Sequence, residues 1–344
     1  MGKLAQDKTA FEPHPIIVAR PGVPGRAQRV RIGWKNDAQG SNTLLSRRDF
    51  LIHAAACAAV PFLPTRAFAR SAYPTRPIPK TGEPLPVVGL GSTKAVSQLT
   101  KRGTAEFKVL LRTLLDGGGT VVDTWSRSAA LDKLTGDALQ AEGLVKDLFL
   151  ATKVDAVGAQ AGRSMLERTR RLFGKTSDLI QVISLRDLKT QWPILKEWKD
   201  ADKARYIGAT VSSDPDHNAM MHFMRGERPD FIQVNYSVVE TDAESGVLPL
   251  AADLGIAVLI NRPFMNGSYF SRVRGVSLPE WAAEFDCHGW AQFSLKYILA
   301  HPAVTCVLTE TTNPKHLLEN LATAYGRFPD TETKRRMREV MQFI

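Results

Sequence analysis

The sequence predicts an α/β protein of the (β/α)8 barrel class. Eight short runs rich in β-branched residues recur between residues 87 and 311, and segments with apolar residues at helical spacing separate them. About 275 residues follow the first 69, which suits eight strand and helix pairs. A doubly wound open sheet more often has roughly five to seven strands and a G-x-G-x-x-G loop, whereas residues 89–92 read G-L-G-S.

The strands are predicted from β-branched composition and from the loop signals at their ends. We expect them at residues 87–92, 120–125, 148–154, 179–185, 206–212, 231–237, 257–264 and 305–311. Apolar residues in the run 107–114 mark the first helix, and the glycines at 117–119 are predicted to close it. Gly174 is predicted to end the third helix, and Pro314 to open the last at a first-turn position.

The first 69 residues have the pattern of an export signal. Residues 46–51 read S-R-R-D-F-L, a twin-arginine pattern, and an apolar run at 54–63 leads to the small-x-small sequence A-F-A at 67–69. The alternative is an amphipathic surface helix with a chance arginine pair. We therefore predict a disordered extension and twin-arginine signal peptide over 1–69, and a barrel domain over 70–344.

This organisation predicts a periplasmic or otherwise exported protein that meets the twin-arginine export machinery. The residues before the arginine pair are rich in Pro, Gly and Arg, so they indicate disorder or an over-extended gene start. Outside the leader no run of 18 apolar residues suggests a membrane span in the mature protein.

Charge and cysteine content exclude other classes of protein. The net charge is +10, but residues 1–69 hold ten Lys/Arg against four Asp/Glu, which leaves 35 against 31 for the barrel. The barrel is only mildly basic, so nucleic acid is not an expected partner. Cys287 and Cys306 are too few for a disulfide framework and are predicted to be core or loop thiols. No metal site is predicted.

Barrels of this class carry function at the C-terminal ends of their strands. Asp123 ends the second predicted strand and Lys153 the third, so the two charges are expected to meet and pair. A salt bridge that only stabilises the barrel is the alternative explanation.

Several ordered motifs resemble the aldo-keto reductases, especially their exported bacterial branch, over residues 76–344. The matching stretches are the N-terminal hairpin I-P-K-T-G-E at 78–83 with G-L-G at 89–91, G-G-T-V-V-D-T at 118–124, A-T-K at 151–153, R-Y-I-G at 205–208, Q-V-N-Y-S at 233–237, R-P-F at 262–264, and P-K-H at 314–316 with E-N at 319–320.

The resemblance implies an active site of Asp, Tyr, Lys and His that passes hydride from a nicotinamide to a substrate carbonyl. Asp123 and Lys153 match the Asp and Lys positions. Ser128 stands where the family tyrosine, the general acid, is expected, and Ile183 stands at the histidine position. Serine is a far weaker acid on a shorter side chain, and isoleucine has no hydrogen bond to give. Two candidates could compensate for the loss of the tyrosine and histidine. One is Arg127, with Trp125 beside it, and the other is Lys153.

The resemblance also implies a dinucleotide site. Thr210 and Gln233 would contact the nicotinamide carboxamide, and Arg262 to Phe264 would line the pyrophosphate. The adenosine end would meet Thr311, His316, Glu319 and Asn320. Glu310 would repel a 2′-phosphate, so NAD(H) is favoured over NADP(H). Taken singly, each polar residue also suits an ordinary helix cap or strand-end hydrogen bond.

Three functions remain open on the sequence. The first is a nicotinamide-dependent oxidoreductase that reduces a carbonyl compound with an atypical proton donor. The second is a pseudoenzyme that binds a nucleotide or small ligand, and the third is an interaction protein.

Overall fold

A computed structural model of the protein describes residues 73–125 and 128–344, and a closed barrel of eight parallel strands forms its centre. A short antiparallel hairpin precedes the barrel. The hairpin strands are β1 (Thr75–Pro77) and β2 (Pro84–Pro86); the barrel strands are β3 (Val88–Gly91), β4 (Val121–Asp123), β5 (Phe149–Val154), β6 (Ser177–Ile183), β7 (Ala204–Thr210), β8 (Phe231–Asn235), β9 (Ala257–Asn261) and β10 (Cys306–Glu310). Each strand pairs with its neighbour in sequence, and β10 closes on β3.

The predicted barrel and all eight of its strands are confirmed, and the differences lie at the strand ends. Strand β8 ends at Asn235 rather than at residue 237, and β6 ends at Ile183 rather than at residue 185. Ser184 and Leu185 have φ values of 47° and 51°, in the left-handed region that a pleated strand does not use. Backbone turning into the loops therefore shortens the strands at their C-terminal ends.

Helices surround the barrel and alternate with its strands. The α-helices are α1 (Thr93–Ser97), α2 (Leu99–Arg102), α3 (Ala105–Asp116), α4 (Ala129–Gln140), α5 (Ala159–Phe173), α6 (Leu188–Asp200), α7 (His217–Glu227), α8 (Val247–Leu254), α9 (Ser268–Arg272), α10 (Trp290–Leu299), α11 (Pro314–Ala322) and α12 (Thr331–Phe343). Short 3₁₀ helices lie at Ala141–Asp147, Asp214–Asp216, Asp242–Ser245, Met265–Gly267 and Glu280–Phe285. Within the described residues no helix is long and apolar enough to cross a membrane.

Two helix predictions can be compared directly with the structure. Gly174 follows α5 in the left-handed conformation, so this glycine ends its helix as predicted. Pro314 is the first residue of α11, but α11 is not the last helix, because α12 follows it. The α12 helix is anchored by Lys334, whose Nζ lies 2.6 Å from the half-buried carboxylate of Glu244. The sequence analysis did not predict α12, because its sequence is rich in charged residues of both signs.

The hairpin closes the end of the barrel where the strands begin. Ile78 and Leu85 are buried and pack with Phe149, Tyr206 and Phe231, which lie at or near the starts of β5, β7 and β8. This apolar layer fills the N-terminal half of the interior, so it leaves the opposite end for polar side chains.

Gly208 on β7 gives a sharp test of how tightly the barrel is packed. A Cβ at this position would lie 2.3 Å from the backbone carbonyl oxygen of Phe231, on the neighbouring strand β8. We expect Gly208→Ala to lower the free energy of unfolding by about 1–3 kcal/mol or more, since backbone has to move. Gly226→Ala is the matched control, because no atom lies within 4 Å of its added methyl group. Urea unfolding of both variants checks this, and equal stability of the two would contradict it.

Candidate active site

A buried ion pair lies at the C-terminal end of β4 and β5. Lys153 Nζ donates to both carboxylate oxygens of Asp123. Asp123 is 4% exposed and Lys153 is 7% exposed, so water screens the pair little. The pairing predicted from the strand ends is therefore present. Because a buried charge without a partner is strongly destabilising, each of the two side chains stabilises the other in this buried site.

Two glutamine side chains complete the surroundings of the Asp123 carboxylate. Gln181 Nε2 lies 3.5 Å from Oδ1, and Gln233 Nε2 lies 3.3 Å from Oδ2. Both glutamines are buried, and among the described residues the side-chain oxygen of each has no hydrogen-bond partner. The sequence analysis placed Gln233 at the site but missed Gln181. Its signal was a polar residue between the apolar residues Ile180 and Val182 of strand β6.

Ser128 caps a helix. It is exposed, its backbone is extended, and its Oγ accepts a hydrogen bond from Leu131 N at 3.2 Å, so it is the N-cap of α4. Trp125 is partly buried, and the predicted contribution of Arg127 falls outside the described residues.

Ile183 faces the inside of the barrel at its mouth. Side chains alternate along a strand, so Leu179, Gln181 and Ile183 share the interior face of β6. Leu179 packs in the interior core and Gln181 reaches Asp123, which fixes that face as the inner one. Ile183 is 8% exposed and therefore puts an apolar side chain above Gln181.

The ends of β7 to β9 are joined by a polar network around Asn235. Its Nδ2 donates to Asp214 Oδ1 at 2.6 Å, and its Oδ1 lies 3.0 Å from His217 Nε2. His217 Nδ1 lies 2.8 Å from Asp242 Oδ2. Asp214, His217 and Asp242 are near enough to share a cation, but these hydrogen bonds already account for their contacts. The sequence analysis missed all three, because the cluster forms only when Asp242, which follows β8, meets Asp214 and His217, which follow β7.

Arg262 lies beside this network, directly after β9. Its guanidinium pairs with Glu240 at 2.7 Å, and its Nε is buried without a hydrogen-bond partner in the described part of the chain. The backbone φ of Arg262 is 51°. Phe264 is buried and packs against Phe270 with ring centroids 4.9 Å apart. The predicted pyrophosphate segment is thus partly engaged with the protein's own side chains.

Glu310, at the end of β10, and Thr311, which follows it, both accept hydrogen bonds from backbone N–H groups. Glu310 is exposed, and its Oε1 accepts a hydrogen bond from the backbone N–H of Lys94 at 2.7 Å. Thr311 is buried and accepts a hydrogen bond from Asn313 N at 3.0 Å. On α11, His316 is exposed and Asn320 is buried. These two residues are four apart and share one helix face, as a common site requires.

Cys287 and Cys306, the two cysteines of the barrel domain, are free and buried, as predicted. Burial raises the pKa of the Cys287 thiol to about 11. Burial, and to a smaller extent the negative charge of Asp123, raise the pKa of the Cys306 thiol far above its usual range. A thiolate is the reactive form of cysteine, so neither residue is a nucleophile at neutral pH.

Comparison with known proteins identifies the barrel. The model of the aldo/keto reductase family matches residues 87–338, most of the chain. The chain belongs to the aldo/keto reductase family. No curated protein sequence matches it.

Solved aldo-keto reductases share the fold at low sequence identity. An enzyme from Bacillus halodurans in its holo form is 18% identical and has a TM-score of 0.62, over 77% of this chain and 95% of that one. An enzyme from Klebsiella pneumoniae in complex with NADPH is 18% identical with a TM-score of 0.64, over 75% of this chain and 92% of that one.

The polar residues of this family member suit a nicotinamide group at the barrel mouth. Thr210 ends β7, is buried, and lies in register with Gln233. The Gln233 side-chain oxygen has no donor within the described residues, and a carboxamide N–H group is a donor of the kind it lacks. This orphaned oxygen is the observation that favours the fit. The structure therefore brings Gln233 to the Asp123–Lys153 pair, with Thr210 in register beside it, whereas Glu310 ends β10 and Thr311, His316 and Asn320 follow it.

Proposed function

We propose that the protein is a nicotinamide-dependent oxidoreductase that reduces a carbonyl compound with an altered proton donor. The Asp123–Lys153 pair at the barrel mouth is the observation that supports this most directly. Desolvating a buried ion pair is costly, and a protein with apolar residues in its place is often equally stable or more stable. The presence of the pair at the functional end of the barrel favours a chemical role over a structural one.

In this proposal Ser128 and Ile183 stand at the family's tyrosine and histidine positions. The Ser128 hydroxyl is already used as a helix cap, and it is a weak acid. Ile183 has no proton to give. A reduced nicotinamide supplies hydride when it is bound, and Thr210, Gln233, Arg262 and Phe264 would hold it. Lys153 Nζ then donates the proton that the developing alkoxide needs.

The test is turnover by the purified barrel domain with NADH or NADPH and a panel of aldehydes, ketones and quinones. Oxidation of the reduced cofactor is followed by absorbance, and its binding by tryptophan fluorescence. We expect substrate-dependent oxidation. Binding of the cofactor without turnover of any carbonyl compound would favour the second candidate below.

The second candidate is a pseudoenzyme that binds a nucleotide or small ligand. Two observations favour it: Ser128 is committed to α4, and Ile183 presents an apolar surface at the mouth. An interaction protein without a ligand is a further alternative, and the binding measurement above separates it from the first two.

Cofactor choice is proposed to favour NADH over NADPH. The Klebsiella relative binds NADPH, but in this chain the carboxylate of Glu310 lies in the segment proposed for the adenosine end. We expect NADPH to bind about tenfold more weakly than NADH, because the carboxylate repels a 2′-phosphate. Tighter binding of NADPH in the fluorescence titration would contradict this.

Glu310→Gln sharpens the measurement. The amide oxygen still accepts the hydrogen bond from Lys94 N–H, while the negative charge is lost. This variant should narrow the difference between the two cofactors. Glu197→Gln on α6 removes a charge from an exposed ion pair with Arg163, across the barrel from β10, and should leave the difference unchanged.

Export is proposed on the leader sequence alone. The S-R-R-D-F-L pattern and the A-F-A site support a twin-arginine signal over 1–69, a mature domain from residue 70 and a periplasmic location. These residues lie outside the described ones.

A further inference from the structure

Gln181 is a buried glutamine at the base of the barrel mouth. Within the described residues its side-chain nitrogen has a polar contact and its side-chain oxygen has none. Gln181 is 0% exposed, and its Nε2 lies 3.5 Å from Asp123 Oδ1. We propose that Gln181 is a positioning residue, which holds the Asp123 carboxylate in place while Lys153 gives its proton to the substrate. This inference rests on the proposed function, since it assigns a role in that reaction.

The orientation of the Gln181 amide follows from its neighbours. Asp123 accepts hydrogen bonds from Lys153 at both oxygens, so it is a carboxylate and has no proton to donate. Only the NH₂ group of a glutamine can then face it. The amide oxygen therefore points away, and the structure offers it no partner among the described residues.

Folding alone does not explain a glutamine at this position. Leu179, Ala151 and Leu259 are apolar neighbours in the barrel interior. A buried amide oxygen without a donor destabilises a protein, whereas an apolar side chain of the same shape is neutral or stabilising. Within the described residues the contact with Asp123 is the one polar contact of the Gln181 side chain, and at 3.5 Å it offsets this loss only in part. A role in the reaction explains why a glutamine is present.

The reaction explains why Asp123 needs further donors. As the carbonyl carbon is reduced, an N–H bond of Lys153 breaks and an O–H bond forms on the substrate. Lys153 is then a neutral amine, and Asp123 is left as a carboxylate in a buried site. The amide groups of Gln181 and Gln233 approach separate oxygens of that carboxylate and keep it charged and fixed. Lys153 recovers its proton from water before the next turnover.

The experiment uses Gln181→Met, which keeps the length of the side chain and removes both polar atoms. We expect Tm to rise by about 2–4 °C, because the unsatisfied oxygen is gone. We expect kcat to fall by about tenfold or more, while KM for the carbonyl substrate and Kd for NADH change less than about twofold. A residue with a structural role alone would lower Tm and leave kcat unchanged.

Gln191→Met on α6 is the matched control. Gln191 is also buried, and its side-chain oxygen has no partner in residues 73–125 and 128–344, but its Nε2 donates to Gly158 O at 3.1 Å and Asp187 Oδ2 at 3.2 Å. This variant should lower Tm and keep kcat. An unchanged kcat or a lowered Tm in Gln181→Met overturns the inference. If the wild type turns over no carbonyl compound, the proposed function and the inference both fail. If the wild type is active and Gln181→Met keeps its kcat, the inference alone fails.

Discussion

Replacing Lys153 by methionine should abolish turnover and destabilise the barrel. The Asp123 carboxylate would stay buried without its ammonium partner, a loss of about 3–5 kcal/mol in pairs of this kind. Donors from Gln181 and Gln233 remain, so we expect the lower end of that range. Turnover should fall to background, because the proposed proton donor is gone. Urea unfolding and initial rates with NADH measure the two effects.

A double-mutant cycle measures the interaction free energy of Asp123 and Lys153 separately from the cost of burying each charge. Asp123→Asn alone leaves a buried ammonium and should also be strongly destabilising. The double variant Lys153→Met with Asp123→Asn removes both charges, so it should be more stable than the sum of the two single effects predicts. Additive free energies would show that the two groups do not interact.

Lys175→Met is the control for a lysine deletion. Lys175 pairs with Asp178 at 2.8 Å near the start of β6, at the other end of the barrel, and Asp178 keeps Arg205 as a second partner. We expect a smaller loss of stability and unchanged turnover. Full activity in Lys153→Met would remove the lysine from the proposed mechanism.

Restoring the family's proton-handling residues should raise turnover. The double variant Ser128→Tyr with Ile183→His places a phenol and an imidazole at the two positions that the proposed function assigns to the family's tyrosine and histidine. General acid catalysis contributes about 10²- to 10⁴-fold, so we expect at least about a 100-fold gain in kcat. Steady-state rates on one aldehyde, compared with the wild type, measure it.

The gain should come at a loss of stability, because Ser128 caps α4. Removing an N-cap serine lowers the free energy of unfolding by about 1 kcal/mol. Ser128→Ala is therefore the control, with a similar drop in stability and no gain in rate. If the double variant folds and its turnover equals that of the wild type, the mouth cannot accommodate the restored side chains and the pseudoenzyme alternative gains support.

The sequence was sufficient for the barrel and for the meeting of Asp123 and Lys153. Strand periodicity and strand order are local patterns, and consecutive parallel strands in a barrel place their C-terminal ends side by side. A charged residue at each of two neighbouring strand ends therefore predicted the pair. Strand ends were less predictable, since residues such as Ser184 adopt a left-handed backbone that composition does not reveal.

Tertiary structure alone decided what the remaining polar groups do. Gln181 and Gln233 approach Asp123 across separations of 58 and 110 residues, and the direction of each amide depends on a carboxylate that another strand supplies. Arg262 is engaged by Glu240, Glu310 by the backbone of Lys94, and Ser128 by its own helix. A motif specifies which residue stands at a strand end. The partner that a side chain finds there depends on distances between loops, which no local pattern contains.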